Sequence, residues 1–294
     1  EHADRLACDC VVISDGAQFA PGKPAICYGL RGIAYYELHL RGPQRDLHSG
    51  SFGGTVTNPA NALAAMLAGL IDDRGRVQIP GFYDDVVPLS DRERELLAAL
   101  PFDERQYLAG LGVSDASGEA GYTLLERRWA RPTYDVCGLT SGYQGEGAKT
   151  ILPATASAKF SFRLVPNQRP EAITEGLRRR LNELCPPGIE MELHDFHGSP
   201  GVLVPLESPY VKAASRAIAR AFGTEPVFTR EGGSIPIVSA FRDALGVDTL
   251  LLGWGQDDDN THSPNEKFSL ADFHRGTAAS AALWAELAAM KTGA

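Results

Sequence analysis

A histidine and an aspartate each follow a predicted strand, near opposite ends of the 294-residue chain. His262 lies in a polar loop after the apolar run 248–253, and Asp15 ends the β-branched run 6–14. Both runs have the composition of buried strands, and ligands bind beyond the C-terminal ends of strands in open α/β sheets. An imidazole and a carboxylate are ligands that hydrolytic zinc sites use. A surface-loop histidine and a turn-capping aspartate are the alternatives.

A second histidine lies in a loop that a ligand could approach closely. His48 is surrounded by small residues in segment 46–54, Asp-Leu-His-Ser-Gly-Ser-Phe-Gly-Gly. Small side chains let a ligand reach the backbone, and loops of this kind carry functional residues. A turn histidine without a role is the alternative. His197, which follows a predicted strand in a loop with glycine and proline, could also reach a site.

Two further positions suit the binding of a carboxylate. Strand 156–165 alternates with period two, which places Arg163 on the face opposite the apolar side chains, and its guanidinium offers a fork of donors. Ser234, preceded by two glycines, is the predicted N-cap of a helix that runs to about residue 244. Such a helix start can bind an anion, so Arg163 and Ser234 could grip one carboxylate. A surface cation and an ordinary cap are the alternatives.

Composition is that of a globular protein, with 44% hydrophobic and 22% charged residues, and the length suits one large or two ordinary domains. The net charge of −9 argues against nucleic acid and an anionic membrane surface as partners. No apolar run approaches the roughly 20 residues that a membrane helix needs. The five cysteines are odd in number and lack a Cys-x-x-Cys pair, which indicates a reducing, cytoplasmic compartment without a cysteine zinc site.

The predicted elements between residues 32 and 197 have a ferredoxin-like order, strand and helix in alternation. Strands are predicted at 32–41, 156–165 and 189–196, and helices at 60–71, 91–100, 171–184, 209–222 and 270–290. The charges of helix 91–100 predict a solvated face, and the glycine-rich loop 138–147 lacks the lysine of a phosphate cradle. Ser208 is the predicted cap of helix 209–222.

This order predicts an α/β fold in three segments. A catalytic domain is formed by residues 1–31 and 200–294, and an α+β unit, residues 32–199, is inserted between them.

Five segments resemble the motifs of one family, in the family's order. They are Asp-Leu-His-Ser-Gly at 46–50, Phe-Gly-Gly-Thr-Val-Thr-Asn-Pro at 52–59, Phe-Ser-Phe-Arg-Leu-Val-Pro at 160–166, Arg-Glu-Gly-Gly-Ser-Ile-Pro at 230–236 and His-Ser-Pro-Asn-Glu at 262–266. The chain resembles the di-zinc metallopeptidases that include carnosinases, aminoacylases, glutamate carboxypeptidases and succinyl-diaminopimelate desuccinylase. It is most similar to the cytosolic nonspecific dipeptidases. The resemblance implies a zinc-exopeptidase-like domain, a mixed sheet with flanking helices, interrupted by a ferredoxin-like lid and dimerisation domain.

The resemblance also implies a role for each candidate residue. Asp15 would be a terminal ligand of one zinc ion and His262 of the other, with two zinc ions in a complete site and manganese or cobalt as alternatives. His48 would reach into the partner's site across a homodimer and stabilise the oxyanion. The substrate, a dipeptide or an acyl-amino acid, would be bound by Thr150, Arg163, His197, Gly233 and Ser234.

The family's other catalytic groups are expected upstream of Asp15 and are interpreted as missing. They are a His-x-Asp ligand pair, a bridging aspartate and a Glu-Glu pair whose first member is the general base. No Glu-Glu dipeptide occurs, and Glu1, only 14 positions before Asp15, is too close to be the base. One aspartate and one histidine, intended for different metals, cannot hold a di-zinc centre.

Two functions follow as expectations. The complete protein would hydrolyse a dipeptide, or an acyl-amino acid, with a free C-terminal carboxylate, and this chain alone would be inactive. The alternative is a truncated, non-catalytic paralogue that serves as a dimerisation or carboxylate-binding module.

Overall fold

The computed structural model describes residues 3–256 and 258–291, apart from the side chains of His197 and Lys291. The chain divides into two compact units. The first unit comprises Glu1–Leu30, Leu89–Phe102 and Val202–Ala294, and the second comprises Arg31–Pro88 and Asp103–Gly201. The predicted division differs mainly in segment 89–102, which it assigned to the inserted domain.

The strands, in chain order, are β1 (Val11–Ala17), β2 (Ala25–Leu30), β3 (Gly32–Arg41), β4 (Leu47–His48), β5 (Thr133–Ser141), β6 (Ile151–Leu152), β7 (Thr155–Leu164), β8 (Glu190–Ser199), β9 (Val202–Leu203), β10 (Val227–Glu231) and β11 (Thr249–Gly255). The helices are α1 (Ser49–Phe52), α2 (Pro59–Ala68), α3 (Asp91–Ala98), α4 (Glu104–Gly110), α5 (Leu124–Ala130), α6 (Pro170–Leu184), α7 (Pro209–Phe222), α8 (Pro236–Leu245) and α9 (Leu270–Lys291). None of the described helices is long and apolar enough to cross a membrane.

The first unit is built on a mixed sheet with the strand order β1-β11-β2-β10 and with β9 beside β2. Strands β1 and β11 run parallel, and β2 runs antiparallel to β11. Ile26, Leu250 and Leu252 are buried in one cluster with the apolar faces of α7 and α9. The prediction of a buried strand before the His262 loop is therefore confirmed by β11.

The expectation that residues 6–14 form a buried strand is wrong. The strand begins only at Val11, after a 3₁₀ turn at Ala3–Leu6, and its side chains are exposed or half-buried. Among the described residues β1 pairs with β11 alone, so that it lies at the edge of the sheet. β-Branched residues favour an edge strand as much as a central one, and this is why composition misjudged its burial.

The second unit has the ferredoxin-like arrangement that the sequence predicts. Its four-stranded sheet has the order β5-β7-β3-β8 with antiparallel neighbours, and α2 and α6 follow the first and third strands in the chain. Tyr36, Phe160 and Phe162 point into one core cluster with side chains of both helices. The two phenylalanine rings lie 5.9 Å apart, and Tyr134 stacks on Phe162 at 5.2 Å.

Strand β5 was not predicted from the sequence. Its C-terminal part, Gly138–Ser141, had been assigned to the glycine-rich loop. The register shifts between Val136 and Gly138, which interrupts the alternation by which a strand is recognised. The strand completes the sheet at one edge.

One helix prediction is confirmed and another needs correction. Ser208 is the N-cap residue of α7, as predicted, although its side chain makes no capping hydrogen bond. The charges of α3 are not all on a solvated face, because Glu93 forms an ion pair with the buried Arg230 of β10. The other Glu93 oxygen accepts a hydrogen bond from Ser90 N in a capping box, so one carboxylate both starts the helix and ties it to β10.

In the irregular part of the second unit, the buried carboxylate of Glu119 joins segments that are far apart in the sequence. Glu119 is 4% exposed and accepts two hydrogen bonds from Arg131, at 2.7 Å and 2.9 Å, and one from Arg76, at 2.8 Å. The Arg131 guanidinium also lies over the Tyr122 ring, at 4.3 Å. Segments distant in sequence thus share one charge, since a buried carboxylate is tolerated only when it is paired.

We predict that Glu119→Gln lowers the free energy of unfolding by about 3 kcal/mol, because it leaves the buried Arg131 without its charged partner. Chemical denaturation of wild type and variant measures the change. Arg76→Gln is the matched control, because the Arg76 side chain is 45% exposed; its cost should be about 1 kcal/mol or less. Equal costs for the two variants would contradict the prediction.

Candidate functional site

Asp15 lies at an irregularity of the β1–β11 pair. Ser14 pairs with Leu252 and Gly16 with Gly253, so that Asp15 is the extra residue of a bulge. Bulges commonly occur beside active sites, where they redirect a side chain. The backbones approach so closely here that a Cβ on Gly253 would collide with Gly16. Asp15 is therefore exposed within the strand, not beyond its end as predicted.

A polar network stabilises the C-terminal ends of β1 and β11. Gln18 donates to the Trp254 carbonyl at 3.1 Å, and Gln256 donates to the Asp272 carboxylate at 2.6 Å. Asp272 lies in the first turn of α9, where a carboxylate is favoured by the helix dipole. Arg275 contacts the same carboxylate at 3.2 Å. One side chain thus joins the end of β11 to α9.

The environment of Asp272 favours its charged form. Burial alone would raise the pKa of Asp272, but hydrogen bonds from Ser269, Gln18, Gln256 and Arg275 outweigh it and hold the pKa below its ordinary value. The sequence analysis did not identify this residue. The spacing Ser269-x-x-Asp272 before an apolar helix was the available signal, because it is typical of a helix N-terminus.

The loop that carries His262 is closed at its base by another aspartate. Asp259 is buried and accepts hydrogen bonds from Gln256 N, at 2.7 Å, and from Lys267 Nζ, at 2.9 Å. The bond from Gln256, followed by that from Lys267, lowers the pKa of Asp259. His262 is exposed and has a φ of 62°, a left-handed conformation that few non-glycine residues adopt. The loop is thus held in a tight turn that presents the imidazole to solvent.

Asp15 lines a pocket on the first unit. His262 is not among the described residues that line it. Cys27, Glu231 and Ile235 line the same pocket. Burial, followed by the nearby Glu231 carboxylate, raises the pKa of the Cys27 thiol to about 12, so this thiol is protonated at neutral pH. The structure thus brings Asp15 together with the start of the Gly232-Gly233 segment.

The prediction that Ser234 caps α8 is wrong. The N-cap residue is Ile235, which has no side-chain capping bond, and Pro236 is the first helical residue. Proline prefers the first helical position, which moves the helix start one residue beyond the serine. Gly233 is exposed and Ser234 half-buried in the segment between β10 and α8. Their predicted role in substrate binding stays a prediction.

His48 and Thr150 are brought together on a short two-stranded ladder. His48 pairs with Ile151, and Ser49 N donates to the Thr150 carbonyl at 3.0 Å. The Asp46 carboxylate accepts a bond from Ala154 N at 2.9 Å, which fastens the same loop. Both candidate residues are exposed.

The hydrogen bonding of His48 selects one form of its ring. Gly50 N donates to His48 Nδ1 at 3.1 Å. A neutral imidazole that accepts at Nδ1 carries its proton at Nε2, so that Nε2–H is available as a donor. This is the form that an oxyanion-stabilising group requires.

Arg163 is half-buried on β7, opposite Ile33 of β3 and Thr133 of β5. Phe162 and Leu164, its neighbours in sequence, are buried on the helix-covered face, as predicted. Arg163 therefore lies on the other face of the sheet. His197 is on β8 opposite Tyr35, and its side chain lies outside the described atoms.

The candidate residues fall into two groups. The first unit carries Asp15, Gly233, Ser234 and His262, and the second carries His48, Thr150, Arg163 and His197. Among the described residues, no group of three or more His, Cys, Asp or Glu side chains is arranged to hold a metal ion. Asp15 and His262 alone do not fit a metal centre, which needs three or four protein ligands.

One part of the expectation about missing ligands also needs correction. The sequence contains a His-x-Asp spacing, His2-Ala3-Asp4. His2 lies outside the described residues, and Asp4 is exposed in the turn before β1. The spacing alone does not establish a ligand pair.

Comparison with known proteins decides the family. Residues 28–189, more than half of the chain, match the peptidase dimerisation domain of M20 peptidases. The chain belongs to the M20 peptidase family. The matched region covers most of the second unit, including strands β3, β5 and β7 of the ferredoxin-like sheet and the loops of His48 and Thr150.

M20 relatives include named dipeptidases. The Cys-Gly metallodipeptidase of Candida albicans is 37% identical over 274 residues, which are 91% of this chain and 56% of that protein. The Beta-Ala-His dipeptidase of Homo sapiens is 32% identical over 289 residues, 95% of this chain and 56% of that protein. The chain thus spans a little over half the length of these relatives.

Solved structures agree with this fold. A dipeptidase from Saccharomyces cerevisiae has a TM-score of 0.80 and 34% identity, over 96% of this chain and 60% of that one. An M20 metallo-carboxypeptidase from Sulfolobus solfataricus has a TM-score of 0.85 and 34% identity, over 96% of this chain and 64% of that one. The predicted α/β mixed-sheet fold with an inserted dimerisation domain is confirmed.

We predict that Asp272→Asn destabilises the protein by about 1–3 kcal/mol at neutral pH, because a buried charged acceptor is lost. Since the folded-state pKa is lowered, the stabilisation by Asp272 is present above the ordinary carboxyl range, about pH 4, and is lost as pH falls through the folded-state value. Unfolding free energies measured from neutral to acidic pH should therefore fall less steeply in the variant.

The control for this measurement is Asp243→Asn, which neutralises an exposed carboxylate of α8. It should leave both the neutral-pH stability and its pH dependence close to wild type. An Asp272→Asn profile parallel to wild type would contradict the prediction.

Proposed function

We propose that this chain is part of a cytoplasmic metallodipeptidase that cleaves dipeptides with a free C-terminal carboxylate. The observation that carries the proposal is the agreement, over almost the whole chain, with M20 proteins named for dipeptide or C-terminal hydrolysis. All five cysteines are free, which suits a reducing compartment. An acyl-amino acid with the same carboxylate is the alternative substrate class.

The metal is assigned by analogy with these metallopeptidases. We infer two zinc ions in the complete site, with manganese or cobalt as alternatives, and one ligand each from Asp15 and His262. The metals would supply an activated water. The other ligands and the general base would come from residues other than those that the structure describes.

The chain's own contribution is to bind and polarise the substrate. His48 would donate from Nε2–H to the oxygen of the scissile carbonyl, in the partner subunit's site, as negative charge develops there. Its Nδ1 bond to Gly50 N keeps the ring in this form. Thr150, adjacent on the same ladder, would contact the substrate from the same side, and Gly233, Ser234 and His197 would line the pocket.

Carboxylate recognition would depend on Arg163 and Ser234. A guanidinium binds a carboxylate through two parallel hydrogen bonds, and this preference explains why a free C-terminus is required. A dipeptide amide lacks the negative charge and would bind poorly. The site therefore selects exopeptidase substrates.

We predict that the product of the complete reading frame containing these residues hydrolyses dipeptides when supplied with Zn²⁺, Mn²⁺ or Co²⁺. In that protein His48→Ala should reduce kcat about 100- to 1,000-fold, because one oxyanion donor is removed. His39→Ala is the matched control, since His39 lies in mid-strand on β3 and has no assigned role; its kcat should be unchanged. Failure of the complete protein to hydrolyse any member of a dipeptide panel would refute the proposal.

Experiments on the isolated 294-residue chain distinguish this proposal from a non-catalytic role. The described residues hold no metal-binding group, which favours a role as a binding or dimerisation module when the chain is on its own. Metal analysis of the purified chain should find no stoichiometric metal, and the dipeptide assay should find no turnover. Turnover by this chain would show that its own residues complete the site.

We further propose that the second unit forms a homodimer through the edge strand β5. Val136 and Leu139 are exposed there, at 41% and 63%. The opposite edge, β8, presents charged residues such as Glu190 and Glu192, which discourage pairing. An exposed apolar edge strand in a domain of the dimerisation family suits a second copy of the chain.

We predict that Leu139→Lys converts the dimer to a monomer, because it places a charge on the paired edge. Light scattering after size-exclusion chromatography measures the mass. Leu111→Lys is the matched control, since Leu111 is 60% exposed in the same unit but lies at the end of α4. A dimer that persists in Leu139→Lys, or dissociates equally in both variants, would contradict the assignment of β5.

A further inference from the structure

A second arginine lies beside Arg163 on the same face of the sheet. Arg163 is opposite Ile33, and Arg31 precedes Ile33 by two residues, directly before β3. Because residues two apart in a strand point to the same face, Arg31 is the diagonal neighbour of Arg163. Diagonal positions on a sheet lie within reach of long side chains.

A carboxylate occupies the diagonal position on the other side of Arg163. Arg163 is opposite Thr133 of β5, and Asp135 follows Thr133 by two residues. The Asp135 carboxylate accepts a hydrogen bond from the Thr133 hydroxyl at 3.1 Å. Arg163 is thus placed between a cation directly before β3 and an anion on β5.

The position of Arg31 is fixed by the backbone at the start of β5. Its Nη1 donates to the Arg131 carbonyl at 3.3 Å, and its side chain is half-buried. Burial, followed by the nearby Arg163 charge, lowers the pKa of Arg31 to about 10, while Asp135 opposes the shift. Arg31 therefore remains a cation at neutral pH, although its surroundings disfavour the charge.

Holding two guanidinium groups together on one face raises the electrostatic energy of the folded protein. Arg128 adds a third positive charge near Arg31. A bound anion would relieve this repulsion, and a carboxylate matches the fork geometry of arginine.

We propose that Arg31 is a positioning and specificity-determining residue for the substrate carboxylate, which orients Arg163 and strengthens carboxylate binding through its charge. The inference rests on the proposed function, because it concerns the same substrate class. Arg31 was not among the predicted site residues. Its role is electrostatic, so lysine should replace it in part.

Binding without turnover tests the inference. The protein from the complete reading frame is titrated with alanyl-alanine and with its C-terminal amide, by calorimetry in the presence of a chelator. We expect Arg31→Gln to weaken binding of the free acid about tenfold, the loss of one interaction with a charged group, and to leave binding of the amide unchanged. Arg31→Lys should recover most of the affinity for the acid.

Two comparisons separate this role from a structural one. Lys159→Gln is the matched control, because Lys159 is an exposed cation on the same strand and face as Arg163, four residues away. It should bind both ligands as wild type does. In the metal-loaded enzyme, Arg31→Gln should raise KM for the dipeptide while kcat changes little.

Three outcomes would overturn the inference, and a fourth would refute only the proposed function. Equal losses of affinity for the acid and the amide would show that Arg31 acts on folding. An Arg31→Gln variant that binds the acid as tightly as wild type would show that Arg31 has no role in binding. A wild-type protein that does not distinguish acid from amide would overturn the inference even where hydrolysis is found. A protein that prefers the acid and depends on Arg31, but hydrolyses nothing, would refute the dipeptidase proposal and leave the inference standing.

Discussion

The parallel pairing of β1 with β11 determines where the first unit can form a site. Parallel strands end at the same edge, so that Asp15 and the loop after Gly255 emerge close to one another in the sheet. The close backbone approach at Gly16 and Gly253 creates the bulge, and the bulge exposes the Asp15 side chain. Loss of that approach would return Asp15 to the regular alternation of the strand and move its carboxylate to another face.

Polar contacts are needed to keep this edge in place, because β1 has one strand neighbour among the described residues. Gln18 and Gln256 bind across the strand ends, and Asp272 joins them to α9. Gln18 Nε2, Gln256 Nε2 and the Asp272 carboxylate each take part in these bonds, whereas Gln18 Oε1 is buried without a hydrogen-bond partner among the described residues. The loop of His262 begins at Gln256, so its position depends on the same contacts.

In the second unit, one face of the sheet forms the hydrophobic core and the other face carries the charged residues. The face toward α2 and α6 holds an aromatic core that fixes the strand register. That register decides which side chains become neighbours on the other face, where Arg31, Arg163 and Asp135 meet. A shift of one residue in β7 would place Arg163 in the core, so the apolar residues specify the charged arrangement although they do not touch a ligand.

The local sequence pattern was sufficient to predict an element where its hydrophobic residues have one clear period and its ends are marked by turn or capping residues. The alternation of β7 and the Pro170 start of α6 were predicted nearly to the residue. Long-range partners were not accessible in the same way. The bonds of Glu93 to Arg230 and of Glu119 to Arg131 join residues whose charges look solvated in sequence, and the bulge in β5 concealed its alternation.

The candidate site was predictable in its residue types and less so in its geometry. Asp15 and His262 were expected at strand ends, but Asp15 lies within β1 and His262 lies in the exposed loop that follows β11. Ser234 was expected at a helix cap because serine usually occupies it, but the preference of Pro236 for the first helical position prevailed. Asp272 and Arg31 were missed because their importance comes from neighbours in space.

The charge of the whole chain bears on the proposed recognition of a carboxylate by Arg31 and Arg163. The chain carries a net charge of −9, which on its own would repel the carboxylate end of a dipeptide. At physiological ionic strength, charges farther apart than about 8 Å are largely screened, so the nearest groups dominate. Arg31 and Arg163 can therefore reverse the local potential without changing the overall charge, and Asp135 limits the cost of holding them together. Recognition of a carboxylate by the second unit would thus depend on the register of one sheet.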